Sequence, residues 1–360
     1  MSDMPAYDVS RVLCQWYATH RRDLPWRETR DPYRIWISEV ILQQTRVVQG
    51  MDYYRRFLQR FPDVCALANA DEQDVLHLWQ GLGYYSRARN LHAAARTIRD
   101  QFSGHFPTDY AAVRTLPGIG DYTAAAIVSF ACNAPYAVVD GNVLRVLGRL
   151  FAIDAPCDTA MGRHTYNALA RELMPPEHAC QHNQAIMEFG ALQCVPRNPD
   201  CNACPLAVRC AAHATGDPHR FPIKQHRTKP VPRYFHYFYV TTSTGDTYLH
   251  RRPAGDIWQG LFELPLLETS SPATLDELMH TPDFRTLFAD TECTDFALVA
   301  TDLRHVLTHR ILHVACYTAH IQHPSAALRR LTRIPCTELS RYPFPRLIQR
   351  LLELIDARQT

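Results

Sequence analysis

The sequence predicts a two-domain protein in which an all-α domain is followed by a smaller α+β domain. Its 360 residues are more than the roughly 150 of a typical single domain. From residue 8 to about residue 210, apolar residues recur at helical spacing between short Gly/Pro breaks. Beyond residue 233, runs of β-branched and aromatic residues alternate with turn residues, which is typical of strands.

The helical pattern divides into separate segments. They are expected near residues 8–20, 34–49, 51–60, 71–80, 87–101, 109–115, 121–131, 142–151, 159–173 and 181–193. The stretch 211–233 holds four prolines and both lysines without apolar periodicity, as in a linker. Strands are predicted in YFHYFYVTT, TYLHRRP, LFELP, DFALVAT and HRILHVACYTAHI, with an amphipathic helix over 345–356. We therefore predict domains over 1–212 and 233–360, with a linker over 213–232.

Composition excludes several classes of protein. The chain is 46% hydrophobic and 21% charged, which excludes a mainly disordered, collagen-like or coiled-coil protein. It contains no apolar run near the roughly 20 residues that span a bilayer, and its N-terminus lacks the pattern of a signal peptide. A cytoplasmic location is therefore expected. The net charge of +2 neither requires nor forbids a polyanionic partner.

Four of the twelve cysteines form a cluster with C-x6-C-x2-C-x5-C spacing. They are Cys194, Cys201, Cys204 and Cys210. Four thiolates this close can hold zinc or an iron–sulfur cluster, and the spacing does not choose between them. The other eight are scattered through apolar or loop sequence, where free cysteine behaves as a small hydrophobe.

The segment LPGIGDYTAAAI, residues 116–127, predicts two helices joined by a tight turn at Gly118 and Gly120. Glycines allow a partner to approach the backbone closely, and the amides that begin the second helix form an anion site suited to a DNA phosphate. A Pro-Gly-x-Gly turn is also a common plain connection between helices.

Two acidic residues stand in apolar surroundings. Asp140 precedes Gly141 at the start of a predicted helix, so it can act as the N-cap and also as a fixed anion facing a developing cation. Glu39 interrupts an apolar helical run. It lies either on a solvated stripe or in a desolvated pocket, where its pKa would rise toward that of a general acid.

Two polar or aromatic groups can contact bases. Gln43 and Gln44 end the helix of Glu39, where amides can reach base edges, enter a base stack or simply cap the helix. Tyr84 and Tyr85 stand on a glycine turn beside arginines, a combination that suits stacking on bases, although tyrosines of this kind also fill cores.

The order and spacing of these motifs resemble those of one family over nearly the whole chain. The motifs are LPWR (24–27), SEVILQQT (38–45), GLGYYSRARN (81–90), LPGIGDYTA (116–124), VDGNV (139–143), NQAIMEFGALQC (183–194) and the four cysteines. Together they resemble the MutY-type adenine DNA glycosylases of the helix-hairpin-helix superfamily. The resemblance implies an all-α helix-hairpin-helix glycosylase domain with a cluster loop over 194–210, one 4Fe-4S cluster on the cysteines, and an α+β Nudix-like lesion-recognition domain.

The resemblance also implies an activity in base excision repair. By this resemblance we expect a monomer that acts on duplex DNA at the nucleoid, with no membrane partner. It would flip adenine mispaired with 8-oxoguanine or guanine out of the duplex and hydrolyse its N-glycosidic bond. Glu39 would protonate adenine and then activate water, while Asp140 would stabilise the cationic sugar. Tyr122 replaces the Schiff-base lysine of bifunctional relatives, which implies a monofunctional enzyme.

Further site residues follow from the same motifs. Asn142, Arg27, Trp26 and Glu188 match positions around the adenine pocket and the two catalytic acids, with Asn142 counted as catalytic. Gln44 and Tyr84 match residues that enter the base stack. In the second domain, Leu307-Thr308-His309 aligns with a lesion-reading loop that usually ends Phe-Ser-His, so a hydroxyl is kept and an aromatic ring is lost. The domain lacks the glutamate-rich metal element of Nudix hydrolases, and we expect no pyrophosphatase activity.

Two other functions remain open at this point. An endonuclease-III-like glycosylase/lyase for oxidised pyrimidines shares the scaffold and cysteine spacing, but Tyr122 and the second domain count against it. A catalytically silent DNA-binding protein would keep the hairpin and the cysteines without needing both Glu39 and Asp140.

Overall fold

The computed structural model describes residues 6–226, 229–291 and 293–359. The chain forms two compact units, with bounds Met1–Asn69 plus Ala93–Arg227 and Ala70–His92 plus Thr228–Thr360. Among the described residues, no helix is long and apolar enough to cross a bilayer. The domain and linker boundaries expected from the sequence stay a prediction.

The first unit is helical. Its helices are α1 (Ala6–His20), α2 (Pro32–Leu42), α3 (Val47–Arg60), α4 (Val64–Ala68), the later turns of α6 (Ser86–Gln101), α7 (Tyr110–Arg114), α8 (Asp121–Cys132), α9 (Gly141–Leu150), α10 (Ala160–Leu173), α11 (Ala179–Leu192) and α12 (Ala211–Ala214). The helix α5 (Glu72–Leu78) belongs to the second unit. Short 3-10 turns lie at Pro25–Arg27, Pro176–His178, Ala207–Arg209 and Pro218–Arg220.

Side-chain caps fix where several of these helices begin. Asp31, Asp63, Asp109 and Asp140 precede α2, α4, α7 and α9, and each carboxylate accepts hydrogen bonds from amides of the first turn. Such a cap satisfies donors that have no partner inside the helix. One expected helix, over 34–49, is instead two, because Gln44 has a left-handed backbone with φ +59° and α2 ends before it.

The core of the first unit joins its first helix to α9, α10 and α11. Leu13 and Trp16 of α1 pack in one buried cluster with Leu147 of α9, Tyr166 of α10 and Phe189 of α11. Trp16 and Phe189 meet edge to face at 5.0 Å between ring centroids. Residues distant in sequence are thereby held together: α8 and α9 lie beside α11, and α2 lies beside α8.

The second unit contains a mixed sheet. Its strands are β1 (Val231–Thr242), β2 (Asp246–Arg251), β3 (Phe262–Glu263), β4 (Leu266–Thr269), β5 (Cys293–Val306), β6 (Arg310–Ile321) and β7 (Thr332–Pro335). The main order is β3-β2-β1-β6-β5, with β4 also on β1 and β7 also on β2. The β1 and β6 strands are parallel, with Val231 opposite Arg310, and the other pairs are antiparallel. The helices are α13 (Leu275–Met279), α14 (Pro282–Leu287) and α15 (Arg346–Gln359).

Both faces of the central strand are covered. Phe235 and Tyr237 point into a core shared with Leu347 of α15, whereas Phe238 and Val240 point into a core with residues of α14. This explains the continuous apolar and aromatic run in β1, because alternate residues of a strand face opposite sides.

The segment 70–92 packs on this sheet-containing unit. The Arg89 guanidinium donates to the carbonyl of Gln259 at 2.6 Å, and the hydroxyl of Tyr85 donates to the carbonyl of Phe344 at 3.3 Å. An ion pair joins Arg251 to Glu72 at 3.4 Å. A stretch that lies in the helical half of the sequence therefore belongs structurally to the β-containing unit.

Candidate active site

A cavity of about 880 Å³ in the first unit gathers many of the site residues expected from the sequence. We call it the Glu39 cavity. Its walls come from α2, α8, α9, α11 and the turns beside them, and they include Trp26, Arg27, Glu39, Gln44, Tyr122, Asp140, Asn142 and Glu188. Gly118 and Gly120 are outside this lining, and Tyr84, Leu307, Thr308 and His309 belong to the second unit.

Glu39 is buried, with 7% of its surface exposed. It lies on α2, whose other residues from Tyr33 to Ile41 are mostly apolar and buried as well. The hydroxyl of Tyr122 donates to Oε2 of Glu39 at 2.6 Å. Burial raises the pKa of Glu39 to about 7, the Tyr122 hydrogen bond limits that rise, and the nearby charge of Asp140 adds to it. Glu39 can therefore hold a proton near neutral pH.

Asp140 is the N-cap of α9 and is saturated with hydrogen bonds. Its Oδ1 accepts from the amides of Asn142 and Val143, both at 2.8 Å, and its Oδ2 accepts from Asn142 Nδ2 at 2.7 Å. Burial raises the pKa of Asp140, and these hydrogen bonds oppose the rise because they favour the charged form. Asp140 therefore caps α9, as the sequence predicts, and its carboxylate also lines the cavity.

Arg145 holds Asn142 in place. Its Nη2 donates to Asn142 Oδ1 at 2.9 Å and to the carbonyl of Gly190 at 2.5 Å, while its Nε donates to the carbonyl of Cys194 at 2.7 Å. Gly190 must lack a side chain, because an added Cβ would lie 2.6 Å from the Cβ of Asn142. The end of α11 is thus connected through Arg145 and Asn142 to Asp140.

Both carboxylate oxygens of Glu188 accept hydrogen bonds from two arginines. Arg27 donates to its two oxygens at 2.9 and 2.7 Å, and Arg22 donates to the same two oxygens at 2.9 and 2.5 Å. Burial alone raises the pKa of Glu188, but the hydrogen bonds from both arginines outweigh it and lower the pKa to about 2. Glu188 therefore acts on the cavity by positioning Arg27, which contributes to the field around Glu39.

Gln184 also lines the cavity, and the sequence reasoning did not single it out. Its Oε1 accepts a hydrogen bond from the hydroxyl of Tyr17 at 2.8 Å, which fixes the amide. The available signal was its position four residues before Glu188 on α11, since residues at that spacing share one face of a helix.

The hairpin turn leads directly into the wall that carries Tyr122. Gly118 has φ +75°, a conformation that favours glycine, and Gly120 is the N-cap of α8. An added Cβ at Gly120 would meet no heavy atom within 4 Å in the described part of the chain, so the surface beside this backbone is open. Such a position allows an external group to approach the first amides of α8.

The structure brings two expected contact residues of the second unit together. Tyr84 has a left-handed backbone and its hydroxyl is hydrogen-bonded to Thr308 Oγ1. Thr308 lies with Leu307 and His309 in the tight connection between β5 and β6, closed by the Leu307 amide donating to the carbonyl of Arg310 at 2.8 Å. The two segments, more than 200 positions apart, therefore form one surface.

The four clustered cysteines follow the end of α11 in the sequence. Cys194, Cys204 and Cys210 pack against the buried cluster formed by α1, α9, α10 and α11, and burial raises the pKa of the Cys204 thiol to about 11. Arg149 Nη1 donates to the sulfur of Cys194 at 3.4 Å. In the described part of the chain, no group of three or more His, Cys, Asp or Glu side chains is arranged to hold a metal ion. Four soft sulfurs beside a guanidinium are nevertheless a donor set that suits an anionic metal–thiolate group.

Comparison with known proteins agrees with this architecture. Residues 37–171 match the model of the HhH-GPD superfamily base excision DNA repair proteins, and residues 236–354 match that of the NUDIX domain. A thermostable thymine-DNA glycosylase has a similar structure, with TM-score 0.55 and 28% identity over 59% of this chain and 97% of its own. Endonuclease III in a non-covalent DNA complex, at TM-score 0.52 and 21% identity over 59% of this chain and 98% of its own, shares the fold. The fold and the matched family define a DNA N-glycosylase of base excision repair.

Comparison with individual relatives identifies the family within this superfamily. The adenine DNA glycosylase of Buchnera aphidicola subsp. Baizongia pistaciae is 35% identical over 256 residues, covering 71% of this chain and 72% of the relative. The adenine DNA glycosylase of Homo sapiens is 43% identical over 210 residues, covering 56% of this chain and 38% of the relative. The chain belongs to the adenine DNA glycosylase family. The expected fold class and the family resemblance are both confirmed.

Substitutions of the two buried glutamates should change the free energy of unfolding in opposite directions. Glu39 has an ordinary pKa of 4.5 in the unfolded chain and about 7 in the fold, so the native state loses stability as the pH rises between these values. Glu39→Gln removes this penalty and should raise the free energy of unfolding at pH 8 by up to about 3 kcal/mol, with little gain at pH 4.

Glu188→Gln is the matched control for this measurement. The pKa of Glu188 is lowered to about 2, so its ionised form stabilises the fold and the substitution should lower the free energy of unfolding at pH 8. Urea denaturation at both pH values measures each effect. If both substitutions change stability in the same direction at pH 8, the assignment of the two environments is wrong.

Proposed function

We propose that this chain removes adenine mispaired with 8-oxoguanine or guanine in duplex DNA by hydrolysing the N-glycosidic bond of the flipped nucleotide. The observation that supports this proposal most strongly is the Glu39 cavity. It contains a buried carboxyl group that can hold a proton near neutral pH, and a second, hydrogen-bonded carboxylate that caps α9. Cleavage of a glycosidic bond usually relies on two carboxyl groups whose environments give them different pKa values.

Glu39 is the general acid in this proposal. Adenine is a poor leaving group as an anion, so its N7 must gain a proton as the bond to the sugar breaks. Because Tyr122 donates to Oε2 of Glu39, the carboxyl proton resides on Oε1. After transfer, the carboxylate of Glu39 accepts a proton from the attacking water, and the bond from water oxygen to the sugar carbon completes hydrolysis.

Asp140 stabilises the cationic sugar that forms when the glycosidic bond breaks. Its three hydrogen bonds from Asn142 and Val143 favour the ionised form and hold both oxygens in fixed positions. A carboxylate that is already oriented needs no rearrangement as positive charge develops, which is the basis of electrostatic stabilisation of a transition state.

The enzyme is monofunctional in this proposal. Cleavage of the DNA strand by this superfamily requires an amine that forms a Schiff base with the sugar. Tyr122 presents a phenol at that position, and its burial and the neighbouring Glu39 hold its pKa well above the ordinary value of 10.0. A neutral phenol orients Glu39 and leaves an intact abasic site.

The remaining expected contacts divide between the cavity and the DNA surface. Trp26, Arg27, Gln184 and Asn142 surround the extruded adenine, with Glu188 positioning Arg27. Gly118 and Gly120 present backbone amides to a phosphate. Gln44 and Tyr84 enter the base stack, and Leu307, Thr308 and His309 read the base opposite adenine. We further propose that the protein acts as a monomer on chromosomal DNA in the cytoplasm.

The four cysteines hold one 4Fe-4S cluster in this proposal. When bound, the cluster supplies four iron–thiolate bonds that cross-link the segment 194–210. Arg149 and Arg145 contact Cys194 from α9, and Arg145 also holds Asn142. The position of the loop is therefore coupled through this chain's own hydrogen bonds to the group that orients Asp140.

Gel cleavage assays test the activity. Duplexes carrying A:8-oxoguanine, A:G or thymine glycol are incubated with the protein and analysed with and without alkali. We expect strand breaks at adenine only after alkali, and a loss of at least a thousandfold in rate for Glu39→Gln and Asp140→Asn with binding of the mispair retained.

Each alternative gives a distinct pattern in the same gel. Nicking without alkali indicates a glycosylase/lyase, cleavage at thymine glycol indicates an oxidised-pyrimidine enzyme, and binding without cleavage indicates a silent DNA-binding protein. Rapid turnover by both carboxyl variants would remove Glu39 and Asp140 from the mechanism.

Metal analysis tests the cluster. Cys201→Ser should lose iron and inorganic sulfide, and should lower the unfolding temperature because the 194–210 segment loses its cross-links. Cys336→Ser, outside the four-cysteine set, is the matched control and should keep both. A colourless wild-type protein that contains zinc would show that the cofactor proposal is wrong.

A further inference from the structure

A second cavity, of about 700 Å³, lies in the first unit. We call it the α10 cavity. Tyr122 is part of the lining of both cavities, but the α10 cavity otherwise draws on α10, on the start of α8 and on the loop before α9. None of the steps proposed for Glu39 and Asp140 uses this space.

One wall of the α10 cavity is aromatic. The rings of Tyr110 and Tyr136 stack with centroids 4.3 Å apart and planes 7° from parallel. Tyr110 is anchored, because its hydroxyl donates to Asp121 at 3.3 Å, whereas Tyr136 keeps 39% of its surface exposed. An anchored ring behind a partly open one forms a platform on which a further planar group can stack.

Another part of the lining is basic. Arg163, Asn167 and Arg171 recur every fourth residue along α10 and so share one face, with His164 beside them. Arg163 donates to the carbonyl of Asp158 at 2.9 Å, but the side chains of Arg171 and His164 have no hydrogen-bond or ion-pair partner among residues 6–226, 229–291 and 293–359. The guanidinium group of Arg171 is therefore available to an anion, with that of Arg163 on the same face of α10.

The rest of the lining adds little negative charge. Asp121 is paired with Arg114 at 2.6 Å, so its carboxylate is already compensated. Val139, Leu144 and Cys157 contribute apolar surface. The cavity thus combines an aromatic platform, an apolar floor and unpaired cations, which together match a planar base that carries a phosphate.

We propose that the α10 cavity binds a nucleotide, with its base on Tyr136 and its phosphate on Arg171 and Arg163. The chemistry is the same for a free mononucleotide and for an unpaired nucleotide at the end of a DNA strand. Base-paired nucleotides do not fit, because their bases are already stacked within the duplex. This proposal does not depend on adenine excision, so either proposal can fail while the other holds.

Calorimetric titration of the full-length protein with dTMP tests this proposal. A thymine nucleotide is chosen because the proposed catalytic cavity takes adenine. We expect saturable binding, at least about tenfold tighter than that of thymidine or inorganic phosphate alone, since both halves of the ligand make contacts. Arg171→Glu and Tyr136→Leu should each weaken it at least about tenfold.

Arg96→Glu is the matched control, because Arg96 is also exposed on a helix of the first unit and lies outside both cavities. It should leave dTMP binding unchanged within twofold. Thermal unfolding checks that the Tyr136→Leu variant folds. If it does not fold, the Arg171→Glu variant alone tests the proposal, because the Arg171 side chain has no partner among the described residues whose loss would destabilise the fold.

The source of the ligand is distinguished by a second titration. Binding of a dT8 oligonucleotide that depends on Arg171 and Tyr136 more strongly than dTMP binding indicates a strand end, and equal dependence indicates a free nucleotide. The absence of dTMP binding at millimolar concentration, or binding that both α10-cavity variants leave intact, would overturn the proposal.

Discussion

The hydrogen bond from Tyr122 to Glu39 is the interaction on which the rest of the site depends. It joins α8 to α2 across the cavity at 2.6 Å and leaves one carboxyl oxygen of Glu39 without that donor. A buried carboxyl without a hydrogen bond would be costly, and one with several would lose its proton. A single phenolic donor lies between these limits, so Glu39 remains both satisfied and protonatable.

The second carboxyl group, that of Asp140, receives more hydrogen bonds than that of Glu39. Asp140 is half-buried, and three hydrogen bonds from the start of α9 favour its charged form. The same cap that begins α9 therefore produces an anion in the cavity wall. Two acidic residues with similar intrinsic acidity acquire different roles because one receives a single donor and the other receives three.

Much of this site could be predicted from the sequence because its signals are local. A charged residue inside an apolar helical run and an aspartate before a helix both identify themselves by their immediate neighbours, as Glu39 and Asp140 do. Gln184 has a weaker signal, its spacing of four residues from Glu188, because a glutamine on a helix does not by its residue type indicate that it faces a cavity. Its importance depends on Tyr17, 167 positions away, which holds its amide.

The packing partner of a helix is not a local property of its sequence. The sequence predicts helices over 71–80 and 87–101, and apolar periodicity indicates that a helix packs without indicating on which core it packs. Only the contacts of Arg89 and Tyr85 show that the segment belongs with the sheet. The sequence does not predict the helix break at Gln44, because a left-handed residue other than glycine has no reliable sequence signature.

The pH dependence of the single-turnover excision rate tests the central claim most directly. With A:8-oxoguanine duplex from pH 5 to 9, the wild-type rate should fall as the pH rises through about 7, where Glu39 loses its proton. Tyr122→Phe removes the hydrogen bond that lowers this pKa, so the fall should move to higher pH. A rate that stays constant through pH 8, or a fall that Tyr122→Phe leaves in place, would contradict the account.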